Sequence, residues 1–408
     1  MHRIHCPFAH QGTAPMRAIT ITALGMLASL PVTGSAQQIR LGGQVRPRYE
    51  FLKGAGESPT DFVSMRVRAD LTATLDRGVS AFVRLQDVRL WGEETLPGAD
   101  ARADDFGLHE GYAQLAIGKS AVWTARAGRQ EIGFGEERLV GPSDWAQRNP
   151  VFDGARVGLK AGFGTADLFG FKIAETHAPG VTNDVEFAGV YAQIAHLGPG
   201  SADVYALFNH TAGIDTRQGT LGTRLAVAAG PTDYRIEGAY QLGDRIGRSV
   251  RAFMLAAKGT LSFAGKRASV TAWYDYLSGD AAPDDAVDRG FSTVFGTNHK
   301  FYGIADVLND FPAHTAGRGL QDIALKLSAS PIPDLRLLVD GHAFRLAQPG
   351  PLPARLGEEV DFVATHPHGA NLTIAAGAAW VRAGPGMRAL GRLDGNRLFS
   401  YAMIDVKF

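Results

Sequence analysis

Two stretches near the start of the chain alternate apolar and polar side chains at every step. From Ile39 to Phe51 the odd positions are Ile39, Leu41, Gly43, Val45, Pro47, Tyr49 and Phe51, and the even ones are Arg40, Gly42, Gln44, Arg46, Arg48 and Glu50. From Val63 to Leu75 the odd positions are all apolar, and between them stand Ser64, Arg66, Arg68, Asp70, Thr72 and Thr74. A period of two places successive side chains on opposite faces of a strand. A soluble β-sandwich also alternates, but its strands usually run to about 5–6 residues, and these stretches are more than twice as long. Apolar and charged faces of this length suit a strand with lipid on one side and water on the other.

The rest of the chain agrees with that reading. Residues 1–36 look like an export signal: Arg17 is followed by an apolar run from Ala18 to Val32 and a small-residue site at Gly34-Ser35-Ala36. Met16 is a second candidate start for that signal. Past it, no apolar run approaches the roughly 20 residues that a membrane helix needs, so a membrane-spanning chain must close as a barrel. The single cysteine, Cys6, lies in the leader, so the mature chain has no disulfide framework. The formal net charge is zero, which argues against a general nucleic-acid binder.

Connections alternate in length. Short turns are read at Asp76–Gly78, Gly118–Ser120, Gly162–Gly164, His196–Ser201, Gly230–Asp233, Ala264–Lys266, Pro331–Asp334 and His366–Gly369. Longer connections are read at Gly54–Asp61, Gly92–Asp105, Ile132–Asp153, Thr176–Asp184, Thr211–Gln218, Gly243–Ser249, Ser278–Arg318, Ala347–Gly357 and Gly384–Asn396. The expected fold is therefore all-β: a transmembrane antiparallel β-barrel of about 18 strands over residues 37–408, with both termini periplasmic. The last strand alternates to a terminal Phe408, resembling the signal used by the barrel assembly machinery of Gram-negative outer membranes. That machinery and outer-membrane lipids are the expected partners.

On such a barrel the polar phase lines the lumen. Arg46, Arg48, Arg66 and Arg68 point inward from neighbouring strands, and Arg84, Arg126, Arg156 and Lys160 fit the same phase later. Glu50, Asp70 and Glu110 are interleaved with them. A belt of this kind concentrates anions in a low-dielectric channel; the competing reading is that the charges pair across strands to brace the wall. Strict alternation from Trp123 turns Arg129 outward, and a bulge at Gly128 is expected to bring it into the lumen.

Patterns for catalysis are scarce. There is no G-x-S-x-G elbow and no H-E-x-x-H helix, so no catalytic residue is nominated and no cofactor or metal is expected. His366 with His368 reads as a solvated turn pair. Asp280, Asp284, Asp285 and Asp288 read as a solvated acidic loop before a calcium site. Trp91, Trp123, Trp273 and Trp380 suit an aromatic girdle.

Two segments resemble the alginate export family of outer-membrane barrels. One runs Gly128-Arg129-Gln130-Glu131-Ile132, then Gly135, Arg138-Leu139, Asp144-Trp145 and Phe152-Asp153-Gly154. The other runs from Phe301 through Ala305-Asp306 and Pro312 to Gly319-Leu320-Gln321-Asp322, followed by His342-Ala343-Phe344 and Gly357 to Asp361. Pro150-Val151 and Ile304-Ala305 depart from the family pattern. The resemblance implies an eighteen-stranded channel with an electropositive lumen, narrowed by inward loops, through which anionic polysaccharide passes. It implies a pore role for Arg129 and Glu131 and a loop-anchoring role for Arg138, Trp145 and Asp153, with Asp306 and Asp322 grouped beside them. An uptake porin for small organic acids is the alternative, ahead of a barrel enzyme or an adhesive barrel.

Overall fold

A computed structural model describes residues 38–92, 104–119, 122–175, 184–265 and 267–408. The leader read at 1–36 lies outside these residues, as do much of the Gly92–Asp105 and Thr176–Asp184 connections and parts of the Gly118–Ser120 and Ala264–Lys266 turns.

The strands are β1 (Gln38–Gly54), β2 (Thr60–Thr74), β3 (Val79–Leu90), β4 (Asp104–Ile117), β5 (Trp123–Gln130), β6 (Phe152–Ala161), β7 (Gly164–Ala174), β8 (Val185–Leu197), β9 (Gly200–Thr211) and β10 (Thr216–Ala229). There follow β11 (Thr232–Arg245), β12 (Arg248–Phe263), β13 (Ala268–Leu277), β14 (Val287–Asp288), β15 (Leu320–Ala329), β16 (Arg336–Arg345), β17 (Arg355–His368), β18 (Leu372–Ala383) and β19 (Arg397–Lys407). β14 is a two-residue strand inside a loop, paired in parallel with β12. The other eighteen form the wall, each antiparallel to its sequence neighbours, and β13 passes directly to β15.

The sheet closes through β1 and β19, in register from Gln44↔Lys407 to Gly54↔Arg397. Closure leaves no free edge at this seam, which a wall in hydrocarbon requires. Because β1 starts where β19 ends, the start of the first strand and the end of the last share one mouth, and the short turns share it with them. One connection is shorter than read: Gly243–Ser249 is a two-residue hairpin of Ile246 and Gly247, both at positive φ. Such turns match the twist of the flanking strands, so Arg245 and Arg248 belong to the strands.

The alternation sorts the side chains as expected. Leu41, Leu168, Leu221, Ile236, Leu255 and Phe362 stand exposed on the outer face. The apolar core lies inside the barrel, where Phe152, Phe169, Phe171 and Phe187 on β6–β8 meet residues of two inward loops. Trp91, Trp123 and Trp380 face out. Trp273 is a correction: it shares the inward phase of Asp275 and donates to it across 2.9 Å, which a lipid-facing indole could not do.

Leu255 lies midway along β12 on the outer face. Leu255→Arg is expected to destabilise the barrel by about 2–4 kcal/mol, the cost of a cation near mid-membrane. Denaturant titration of the barrel folded into vesicles measures this.

Candidate functional site

The interior is divided by charge. On β1–β3 the inward phase carries Arg46, Arg48, Arg66, Arg68 and Arg84, and the register sets Arg46 opposite Arg66. On β13 and β15–β17 it carries Asp275, Asp322, Asp340, Glu359 and Asp361, all buried. There Asp275 faces Asp322, and Asp340 faces Asp361. Unrelieved, like charges so placed would destabilise the sheet. Part of the relief comes from the wall itself, where Lys326 meets Asp340, His342 meets Asp322 and Asp70 and Glu110 meet Arg84; two loops supply the rest.

The first loop, residues 131–151, leaves β5 and folds into the lumen against the basic wall. Arg46 donates to the carbonyl oxygens of Asp144 at 2.7 Å and Ala146 at 3.0 Å, and to Gln147 Oε1 at 3.0 Å. Arg48 donates to the carbonyl of Trp145 and lies 3.8 Å over its ring. Arg66, wholly buried, donates to Ala146 O at 3.1 Å and to Asp144 Oδ1 at 2.8 Å. Arg68 reaches Asn149 Oδ1 at 2.6 Å and Glu131 Oε1 at 3.2 Å. Three guanidiniums thus hold one short run of backbone and the fourth holds side chains of the same loop, and each such charge-assisted bond exceeds a neutral one in strength.

The second loop, residues 278–319, uses the acidic wall in the complementary sense. Ala305 N–H donates to Glu359 Oε1 at 2.8 Å and Ile304 N–H to Asp361 Oδ2 at 3.2 Å. Its Phe291, Phe301, Tyr302, Leu308 and Phe311 are buried. The loops are joined by backbone bonds from Gly141 N to Phe295 O and from Phe295 N to Leu139 O, at 2.9 and 3.0 Å. Trp145 also stacks on His299 at 4.2 Å between ring centres. Together they form one plug across the lumen, and the basic wall is covered by it.

The remaining residues nominated from sequence distribute as follows. Glu110 is buried and accepts from Arg84 at 2.8 Å. Glu131 sits among Arg68, His109 and Asn149. Arg126 and Arg156 face inward, bonded to Gln114 and Asp167. Arg138 is buried in the first loop, 2.6 Å from Asp275 Oδ2 and 4.2 Å over the Phe301 ring. Asp306 bonds His299 within the second loop at 3.0 Å.

Three placements differ from the sequence reading. The bulge expected at Gly128 is absent, since β5 pairs without a break from Trp123↔Leu159 to Gln130↔Phe152. It lies instead on β4, where Arg84 faces Glu110 and Leu85 faces Leu108. The extra residue lets His109 and Glu110 both turn inward, as a bulge does. Arg129 therefore stays on the outer phase, near the strand end, 3.3 Å from Asp153, where a paired cation costs little. Asp153 consequently holds Arg129 and no loop. Asp322 bonds His342 across the wall at 2.9 Å and is not a loop anchor.

Several participants went unnominated: Gln147, Asn149, Phe134, His299 and, Asp322 apart, the acidic wall. The same alternation would have found Asp340 and His342 or Glu359 and Asp361, but not the loop residues. Of the acidic loop residues, Asp280, Asp285 and Asp288 are occupied by Arg248, Arg289 and Arg245.

Burial by itself would raise the pKa values of Glu131 and Asp144, but the ion and hydrogen bonds outweigh it. His109, Asn149 and Arg68 hold Glu131 down at about 2, and Arg66 and Arg46 hold Asp144 below the ordinary carboxylate range. Depressed carboxylates stabilise docking above their free pKa, and that contribution is lost as pH falls through the depressed value. The plugged state should therefore be unchanged from pH 8 to 5 and loosen below about 4, read as rising single-channel open time. Arg138→Ala leaves Asp275 buried without its cation and should weaken docking by about 3–5 kcal/mol, seen as faster proteolysis within residues 131–151.

The barrel is similar to solved outer-membrane structures from two organisms. Acinetobacter baumannii OccAB1 matches with a TM-score of 0.66 at 12% identity, over 92% of this chain and 98% of that one. Pseudomonas aeruginosa OpdO matches with a TM-score of 0.64 at 14% identity, over 91% and 98%. Pseudomonas aeruginosa OccK2 (OpdF), solved in complex with glucuronate, matches with a TM-score of 0.64 at 11% identity, over 92% and 99%. At these identities the likeness establishes the fold alone. No curated protein matches by sequence. The alginate export profile matches residues 37–350, most of the described barrel including both inward loops, and the chain belongs to the alginate export family.

Proposed function

We propose that this protein is an outer-membrane channel for a carboxylated saccharide, closed at rest by its own two loops, with the chain ends at the periplasmic mouth. The observation that carries this reading is the row of inward arginines on three adjacent strands: Arg46, Arg48, Arg66, Arg68 and Arg84. A barrel wall needs no such surplus for stability, because neutral polar residues would serve. An anion passing through a low-dielectric lumen does need it. Family membership supports an exported polysaccharide as cargo. The wall is wide enough, since eighteen strands enclose an aqueous channel when no plug fills them.

Uptake of a small acid is the second reading, favoured by the glucuronate bound in OccK2. The two share a sugar carboxylate as the recognised group and differ in cargo length and direction. Among the described residues no set suits catalysis, so the channel reading stands ahead of a barrel enzyme.

Planar bilayers test the proposal. The wild-type protein should conduct poorly, and deletion of residues 133–149 should raise conductance about tenfold or more, as removal of a constriction from a wide pore does. The open variant should favour anions in a salt gradient. Adding Arg46→Ser, Arg48→Ser, Arg66→Ser and Arg68→Ser to that deletion should shift the reversal potential toward no preference. An unchanged reversal potential sinks the basic-lumen reading.

A further inference from the structure

On the chain-end side of the plug a cavity of about 350 Å3 opens between the first loop and the wall. Arg66, Arg68, Arg84 and Lys407 line it, together with Asp70 and Asp144. Most of these charges are already matched. Arg84 is held by Asp70 at 2.7 Å and Glu110 at 2.8 Å, Arg68 by Glu131, and Lys407 lies 3.4 Å from Asp405. Asp144 is different. Its one carboxylate lies between two cations, 2.8 Å from Arg66 and 3.5 Å from Arg46, both buried. Its own side chain is 57% exposed.

We infer that Asp144 occupies a carboxylate-binding site formed by Arg66 and Arg46, and that a carboxylate of the cargo entering from the chain-end mouth displaces it. The loop tip is thus a tethered competitor for the group the lumen binds. This rests on the proposed function for the identity of the cargo, and on geometry alone for the site.

Three features support displacement over a fixed ion pair. Both guanidiniums are buried. Arg66 is held from the wall itself, bonded through Nε and Nη2 to Gln44, and so stays in place when Asp144 leaves; Arg46 is held through Nε by Gln147 of the same loop and stays while Gln147 remains docked. The acid is solvent-facing, so a second carboxylate can approach it from the cavity. The residue beside it, Trp145, bridges the two loops between Arg48 and His299, so movement of Asp144 is passed to the junction of the plug. An exposed ion pair with two cations and one acid also retains a positive surplus, which draws an anion inward. A tethered competitor acts as a local ligand at millimolar effective concentration, weak enough for a multivalent cargo to replace.

Trp145 is the natural reporter, since its ring is stacked against a guanidinium and an imidazole. The experiment is a fluorescence titration of the full-length protein in detergent with tetragalacturonate, with neutral maltotetraose as control. A saturable change absent from Trp145→Phe is expected with tetragalacturonate only. Asp144→Asn keeps the shape and removes the competing charge, and should tighten binding by about tenfold; Asp144→Ala should do the same. Heat-modifiable gel mobility verifies that each variant is folded. Equal affinity in wild type and both Asp144 variants overturns the inference. So does equal tightening for maltotetraose, or binding that leaves the Trp145 signal unmoved. Failure here is separable from failure of the channel reading. Bilayers without anion preference alongside tighter binding by Asp144→Asn remove the channel reading and keep the site; the reverse pattern removes only the site.

Discussion

Everything inside this barrel follows from the cost of leaving charge unmatched where water is scarce. The wall directs arginines inward from β1–β3 and carboxylates inward from β13 and β15–β17. Neither face can be left to like-charged neighbours at strand spacing. The loops answer each wall with the group it lacks. Carbonyl oxygens of Asp144, Trp145 and Ala146 meet the guanidiniums, and amide groups of Ile304 and Ala305 meet the carboxylates. Backbone dipoles serve both signs, and the charged side chains Glu131, Glu136, Arg138 and Asp144 of the first loop add ion pairs to them.

The match has a consequence for function. Glu50, Asp70 and Glu110 of the wall match part of its charge, and the rest is met by carbonyl dipoles and by Glu131 and Asp144 of the loop, so the positive surplus of the wall is balanced only while the loop is docked. Arg66 is set by Gln44 and Arg68 by Gln86, both on the wall, so these guanidiniums are positioned independently of the loop. Preorganised donors of this kind need little rearrangement to bind an anion. In the proposed channel, closure and selectivity would thus be carried by the same side chains.

Aromatic packing complements the polar clamps. Phe134 of the first loop stacks on Phe169 and Tyr191 of the wall, at 5.2 and 4.7 Å between ring centres. Phe295 of the second loop meets Phe152 and Phe187 edge-on. These rings are apolar side chains on the inner face, a break in the outward-apolar rule. They exist because the plug brings a hydrophobic surface of its own. The basic wall sets which part of the loop docks where, and the aromatic wall gives the docked state its buried area.

The period-two pattern by itself determined the fold class and the inward direction of Arg46, Arg48, Arg66, Arg68 and Arg84, and the alternating lengths of the connections gave the eighteen wall strands. It could do so because the side-chain phase of a strand is set by residues two positions apart. It failed where the phase is broken or shared. The bulge lies at His109, one strand from where Gly128 suggested it, because a bulge depends on the partner strand's register. Trp273 faces in because Asp275 awaits it there. What only the tertiary structure decided is that the arginines are covered. Arg46 meets Asp144 across 98 residues of chain, and Arg138 meets Asp275 across 137. No local periodicity records which loop will reach which wall, since that choice depends on a barrel already closed and on charges that only then lie within reach.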